Sequence, residues 1–290
     1  MALNLKTFKT RTLTAVAFVG IMLTGIIFNQ WSYFILFTIV HFGCWIEYQR
    51  IIGFVEADYQ EISSFHRNNV MLLGWCFMLL NTNDAYQINH ISLHGIGWYG
   101  ILVLTIIFCL NEIVLNKNLN LKVIAYSAFG LVYISVSWAL LISLRNYSAF
   151  INSTATVPEW LLPLILIVSI WINDSMAYMV GSFIGKTPLT AISPQKTWEG
   201  TVGGAILAIF GVSFICYYIF KIENLQILLI ITAVGAIAGT GGDLLQSKLK
   251  RLAGVKDSGQ IFPGHGGFLD RFDSLLLATP FLWLVLRLVY

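Results

Sequence analysis

Ser247-Lys-Leu-Lys-Arg-Leu-Ala-Gly-Val-Lys-Asp-Ser-Gly-Gln-Ile-Phe-Pro-Gly-His-Gly-Gly-Phe-Leu-Asp-Arg-Phe-Asp273 lies between two long apolar runs, residues 227–245 before it and 275–290 after it. The segment holds five basic residues, three aspartates, one histidine and a set of glycines, in a chain that is only 11% charged. Charge packed this densely beside a membrane span is costly to place and has few structural uses. Lys and Arg hold phosphates, Asp holds divalent cations, and Gly lets backbone amides come close to an anion. The combination reads as phosphoryl chemistry at a membrane surface.

The rest of the chain supplies the membrane. Its 290 residues are 57% hydrophobic, with a mean hydropathy of +0.77. Soluble domains carry about 25% charged residues, so this composition excludes one and points to an all-α, polytopic integral membrane protein. A span takes about 20 mostly apolar residues. By that measure there are nine: 12–28, 31–46, 70–80, 96–115, 123–144, 161–180, 201–220, 227–245 and 275–290. The third is short and flanked by polar residues. The first follows Lys6, Lys9 and Arg11 as a signal peptide would, but another apolar run begins at Trp31, so it is expected to stay as an anchor.

The distribution of Lys and Arg fixes an orientation. With the amino terminus in the cytoplasm, only Arg145, Lys221 and Arg287 of the 17 basic residues fall on the outer side, as the positive-inside rule requires. A wrong span count would scramble this asymmetry from the error onward. The segments 181–200 and 246–274 then face the cytoplasm, where nucleotides are. Residues 1–122 are expected to be transmembrane scaffold and residues 123–290 a transmembrane catalytic region carrying those two loops. Cys44, Cys76, Cys109 and Cys216 lie in or beside apolar runs, with no spacing that suggests zinc or a disulfide. His41, His66, His90 and His94 are dispersed and read as structural.

Three further stretches carry chemistry. Asp174 lies inside the sixth run, where an ionisable residue marks a site by default, and Tyr178, four residues on, shares its helix face. Ser193-Pro-Gln-Lys-Thr-Trp-Glu-Gly200 reads as a helix start, with Ser193 as cap and Pro194 in the first turn. Such a start favours phosphate, and Lys196 adds a full charge. Gly200, Gly203 and Gly204 then permit close helix packing. In Gly239-Thr-Gly-Gly-Asp-Leu-Leu-Gln-Ser-Lys-Leu-Lys-Arg251, the residues Asp243, Ser247, Lys250 and Arg251 form one helical stripe. A carboxylate, a hydroxyl and two cations on one face make a platform for phosphate and metal. Asp270 and Asp273 open the ninth run after the flexible Pro263–Gly267 turn. Asp243 and Asp270 are therefore the carboxylates expected to share a divalent ion. His265, between glycines, has three open roles: donor to phosphate, proton shuttle, or shaper of the turn.

The segment 247–273 closely resembles the signature of the phosphatidate cytidylyltransferase family, also called CDP-diacylglycerol synthase. The matching residues are Ser247, Lys250-Arg251, Lys256-Asp257, His265-Gly-Gly267 and Asp270-Arg-Phe-Asp273. The resemblance runs more thinly upstream to Asp174, Tyr178 and 193–200, where Gln195 replaces the lysine common in the family and Lys196 remains. It implies condensation of CTP with phosphatidic acid to CDP-diacylglycerol and pyrophosphate, with Mg²⁺ required and a second cation left open. It implies catalytic roles for Asp243, Asp270, Lys250, Arg251 and His265. Substrate would be held by Asp174, Tyr178, Ser193, Lys196, Thr197, Glu199, Ser247, Lys256, Asp257, Arg271 and Asp273. The expected setting is a bacterial inner membrane with the site facing the cytoplasm. No nucleic acid partner is expected, and a homodimer stays open.

Two other readings compete. A transporter would use Asp174 and Asp243 along an ion path, but it predicts broken helices in matched halves and gives the basic loop no role. A related lipid enzyme, acting on another lipid phosphate or phosphorylating a polyprenol from CTP, differs in its products.

Overall fold

The computed structural model describes residues 5–115, 120–151, 157–222, 224–262, 264 and 266–289, with the side chains of 5–11, 115 and 149–151 outside that description. It is an all-α membrane architecture. Helices underlie all nine apolar runs: α1 Leu5–Ile27, α2 Gln30–Val55, the one-turn α3 Ala57–Gln60, α4 Ser64–Leu80, α5 Leu93–Leu110, α6 Leu121–Gly130, α7 Ser137–Leu144, α8 Leu161–Ile184, α9 Trp198–Phe220, α10 Leu225–Leu252 and α11 Phe268–Val289. A π-helical turn at Asn111–Leu115 extends α5, and another at Leu131–Val136 joins α6 to α7. Among the described residues, six helical stretches are long and apolar enough to cross a membrane: Leu93–Val114, Leu121–Ser148, Leu161–Ile184, Trp198–Phe220, Leu225–Leu252 and Phe268–Val289. Thr12–Ile27 is a shorter apolar helix.

The few polar residues between apolar runs start helices. Asn29 and Ser32 form a reciprocal capping box: Ser32 N donates to Asn29 Oδ1 at 2.7 Å and Asn29 N to Ser32 Oγ at 3.1 Å. That pair turns the chain from α1 into α2 within two residues. Ser63, Ser92 and Asn120 cap α4, α5 and α6, each side-chain oxygen accepting from an amide of the first turn. The apolar-run reading passes over one element. Gln87–Ile88 (β1) and Ile91–Ser92 (β2) pair antiparallel. Asn89 and His90, both at positive φ (50° and 65°), make the two-residue turn between them, the backbone that tight hairpins favour.

Two compact units emerge. The first comprises residues 1–142 and 252–271. Its core is aromatic, with Tyr33, Phe37, Trp45, Tyr48 and Trp138 fully buried. Buried aromatic rings with a polar tip need a partner for it, and these have one. Tyr33 Oη donates to the Leu141 carbonyl at 2.7 Å, Tyr48 Oη to that of Tyr126 at 2.6 Å, and Trp45 Nε1 to Ser135 Oγ at 2.8 Å. A second polar knot lies beneath: the His66 ring is bonded to Glu112 Oε1 at 3.0 Å and to Ser127 Oγ at 2.8 Å.

The second unit comprises residues 143–251 and 272–290. Here α8 and α9 pack backbone to backbone, as the glycines predict. A Cβ on Gly204 would lie 2.7 Å from Ala177 Cα, and one on Gly203 2.7 Å from Val180 Cγ1. Polar links tie α10 into the bundle. Ser213 Oγ on α9 lies 3.0 Å from Thr232 Oγ1, and Asn173 Nδ2 on α8 lies 3.4 Å from Thr240 Oγ1. Gly242 on α10 rests on the Asp273 carbonyl of α11, where a Cβ would also sit 3.1 Å from Ser274 Cα. That approach brings the α10 backbone immediately before Asp243 against Asp273 and Ser274 of α11.

Candidate functional site

The helix start before α9 differs from the sequence expectation. Ser193 does not cap it. Ser193 and Pro194 occupy a turn closed by Lys196 N donating to the Ser193 carbonyl at 3.1 Å. The helix begins at Trp198, capped by Thr197 in extended conformation, whose Oγ1 accepts from Gly200 N at 3.1 Å. The Ser-Pro signature misleads because the chain must first double back. Leu189 N donates to the Lys196 carbonyl at 2.7 Å and Trp198 N to that of Thr187 at 2.9 Å. Glu199 then accepts from the amides of Lys186 and Thr187, both at 3.2 Å to Oε2. Glu199 and Thr197 thus shape the segment, and Lys196 is carried on a hairpin pinned at both ends.

The hairpin delivers Lys196 to α10. Its Nζ donates to Asp243 Oδ2, and both side chains are largely shielded, at 32% and 22% exposure. Ser247 Oγ, one turn along α10, lies 3.5 Å from the other Asp243 oxygen. Lys250 and Arg251 continue on the same uninterrupted helix. Asp273 is buried on α11, with Ser274 N donating to its Oδ1 at 2.7 Å, and it lies within electrostatic reach of Lys250, Asp174 and Lys196. Asp174 and Tyr178 are both exposed on α8, Tyr178 at 79%. Motifs scattered over about a hundred residues of sequence therefore converge in one unit: Asp174, Lys196, Asp243, Ser247, Lys250 and Asp273.

The other residues of the signature belong to the first unit. Lys256, Asp257 and Arg271 are exposed. Asp270 is structurally committed, since its Oδ2 accepts from Ser258 N at 2.8 Å and Gly267 N at 3.0 Å. Gly266 has φ +81°, and a Cβ there would stand 3.0 Å from the Asp270 Cβ, so the turn requires glycine. His265 lies outside the described residues. Among the described residues, no group of three or more His, Cys, Asp or Glu side chains converges as a ready-made metal cage.

One participant was missed in the sequence. Glu47 on α2 is buried at 3% exposure and accepts from Ser258 Oγ at 2.6 Å, Phe268 N at 2.9 Å and Leu269 N at 2.9 Å. Arg50, one turn on, donates to the Ser258 carbonyl. The available signal was an acid abutting the second apolar run, which ends at Ile46. That signal is weaker than the one at Asp174, which lies inside its run.

Residues 9–289 match the cytidylyltransferase family. The chain belongs to that family. It is similar to the phosphatidate cytidylyltransferase of Bacillus subtilis (strain 168), at 37% identity over 75% of this chain and 77% of that protein. It is also similar to the phosphatidate cytidylyltransferase of Staphylococcus saprophyticus, at 30% identity over 96% of this chain and 98% of that protein. With the one from Staphylococcus haemolyticus it shares 43% identity over 40% of this chain and 45% of that protein. Membership of the cytidylyltransferase family fits a cluster in which a hairpin lysine meets the carboxylates, serine and lysine of neighbouring helices.

Proposed function

We propose that this family member is a phosphatidate cytidylyltransferase, joining CTP and phosphatidic acid into CDP-diacylglycerol with release of pyrophosphate. The observation that carries the reading is the Lys196–Asp243 ion pair. It unites the segment before α9 with the stripe on α10, and a relative that aligns over 96% of the chain bears that name.

The chemistry asks little of a protein base. A phosphate monoester loses its second proton near pH 6, by analogy with phosphoserine (about 6), so the lipid phosphate oxygen is itself the nucleophile. It attacks the α-phosphorus of CTP, the bond from that phosphorus to the bridging oxygen breaks, and pyrophosphate departs with the electron pair. The obstacle is repulsion between two polyanions, which fixed charge and in-line positioning overcome. Lys196, Lys250, Arg251 and Lys256 neutralise the triphosphate and the departing pyrophosphate. Ser247 and Thr197 offer hydroxyls. Asp257, Arg271, Asp273, Glu199, Ser193 and Tyr178 hold or shape the substrate sites, and Asp174 orients a lysine or completes a metal shell.

Mg²⁺ suits these donors, because it is commonly bound through one or two carboxylates with water and substrate phosphates filling the remaining positions. Asp243 and Asp270 are the ligands proposed from the sequence motifs, although Asp270 Oδ2 already accepts from the Ser258 and Gly267 amides, and a second cation stays open. When bound, the ion supplies charge stabilisation on the phosphate oxygens. Lys196 holds Asp243 in place until substrate arrives, then turns to the triphosphate.

The membrane arrangement is proposed as nine spans with the amino terminus in the cytoplasm, in a bacterial inner membrane, with the site on the cytoplasmic side. The asymmetry of Lys and Arg supports it.

The test is purified protein in detergent with phosphatidic acid, Mg²⁺ and CTP labelled at the α or the γ phosphate. The expected result is α label in the lipid and γ label in pyrophosphate. Transfer of γ label to a lipid alcohol supplied in parallel would overturn the reading in favour of a kinase. Transfer of neither would return the transporter.

A further inference from the structure

The segment 252–271 is held by two carboxylates at one helix start. The first amides of α11 have no partner within the helix. Phe268 N and Leu269 N are satisfied by Glu47, 221 and 222 residues away, both at 2.9 Å. Gly267 N and Ser258 N are satisfied by Asp270 of the helix itself. Ser258 links the two systems: its hydroxyl donates to Glu47 at 2.6 Å, its amide to Asp270, and its carbonyl accepts from Arg50. All of these groups belong to one compact unit.

The glycines follow from this arrangement. A Cβ on Gly259 would lie 2.8 Å from the Glu47 carboxyl carbon, and one on Gly267 would collide with the same carboxylate. The backbone closes around an anion, and that anion is the protein's own. Packing reinforces it: Gly43, one turn before Glu47, admits the Phe268 ring, which also meets Phe262 edge-on at 5.2 Å between centroids. A buried carboxylate with three donors at the positive end of a helix is electrostatically favoured. Its removal would leave two helix amides and a hydroxyl unpaired in a dry site.

We infer that Glu47, with Arg50, is a positioning residue for the reaction: it fixes the start of α11 and hence the direction in which Asp270 and its neighbours face. Glu47 touches no reacting atom and acts through the backbone of Ser258, Phe268 and Leu269. The inference rests on the reading that the signature segment serves cytidylyl transfer. On this inference the region expected to be transmembrane scaffold also positions part of the signature segment.

Glu47→Gln in the full chain is the test, because it keeps size but replaces one acceptor oxygen by a donor. The expected kcat falls on the order of 10- to 100-fold, as for a misplaced reacting group, with KM for CTP little changed. Amide hydrogen exchange, measured without substrate, is expected to quicken at Phe268 and Leu269 while exchange in α4 and α5 stays at the wild-type rate. Wild-type kcat, a change in KM alone, or unaltered exchange at those two amides overturns the inference. If Glu47→Gln fails to fold, Ser258→Ala is read by the same measurements. It is expected to quicken exchange at the same amides and lower kcat, and wild-type behaviour in it overturns the inference equally. Exchange and turnover separate the two claims, since a wild-type chain that transfers no cytidylyl group refutes the proposed function while exchange still reports on Glu47.

Discussion

Lys196, on the hairpin before α9, and Asp243, well inside α10, form an ion pair across 47 positions of sequence. Both side chains are largely shielded. A pair of this kind offsets both charges in the resting protein. Asp243→Asn and Lys196→Met are each expected to lower kcat/KM by about 10²-fold or more, the size typical of a lost charge-stabilising contact. The double variant is expected to be little worse than the poorer single, since residues acting as a unit are not additive. Size-exclusion profiles in detergent check that the folds persist. Wild-type turnover in either single variant would remove the pair from the site.

The α8–α9 contact sets where the hairpin can stand. Gly204 faces the Ala177 backbone with no room for a side chain, one residue before Tyr178 and one turn past Asp174. Gly204→Val is expected to cost about 1–3 kcal/mol, the range for overpacking a tight contact. It should also reduce activity by displacing Lys196 from Asp243. Gly211, also on α9, has nothing within 4 Å of its Cβ position, so Gly211→Ala is the control and should melt at or slightly above the wild-type temperature. Equal melting of Gly204→Val and Gly211→Ala would show that the helices do not depend on this crossing.

Much of the fold was legible in the sequence because membrane helices are written in apolar length: among the described residues six helical stretches are long and apolar enough to cross a membrane, and other helices underlie the remaining runs. The stripe on α10 was legible because Asp243, Ser247, Lys250 and Arg251 follow helical spacing, and α10 is unbroken through them. The start of α9 was not. Ser193-Pro194 has the local look of a cap, but the 187–198 hairpin overrides it through long-range backbone pairing that no local pattern encodes. Glu47 was hidden for a different reason. It adjoins an apolar run rather than interrupting it, and its partners lie more than two hundred residues away.

Thr197 and Glu199 should behave differently from Lys196, because their bonds shape the hairpin. Thr197→Val removes the cap on α9 and is expected to cost about 1 kcal/mol of stability. Glu199→Gln weakens the hold on the Lys186 and Thr187 amides. Both variants are expected to raise KM for CTP several-fold and to alter kcat less than Lys196→Met does. A titration of initial rate against CTP separates the cases. A loss of kcat in Glu199→Gln as large as that in Lys196→Met would assign Glu199 to the chemistry itself.

The buried knot of His66, Glu112 and Ser127 has the connectivity of a serine–histidine–acid relay, and its distances of 3.0 and 2.8 Å are good hydrogen bonds. Burial decides its role. The three residues are 2%, 5% and 2% exposed, and Tyr59 Oη covers the serine at 3.4 Å, so no substrate can reach the hydroxyl. The knot is therefore expected to brace α4 against the π-helical end of α5 and the middle of α6. Removing one member leaves its partners unpaired in a dry interior, at about 1–3 kcal/mol. His66→Ala and Glu112→Ala should lower the melting temperature while leaving turnover per folded molecule close to wild type below the transition. Ser127→Ala should be milder, because it removes the smallest member of the knot. A fluorophosphonate probe distinguishes brace from relay directly: the native protein should take no label at Ser127, and stoichiometric labelling there would establish a second nucleophile.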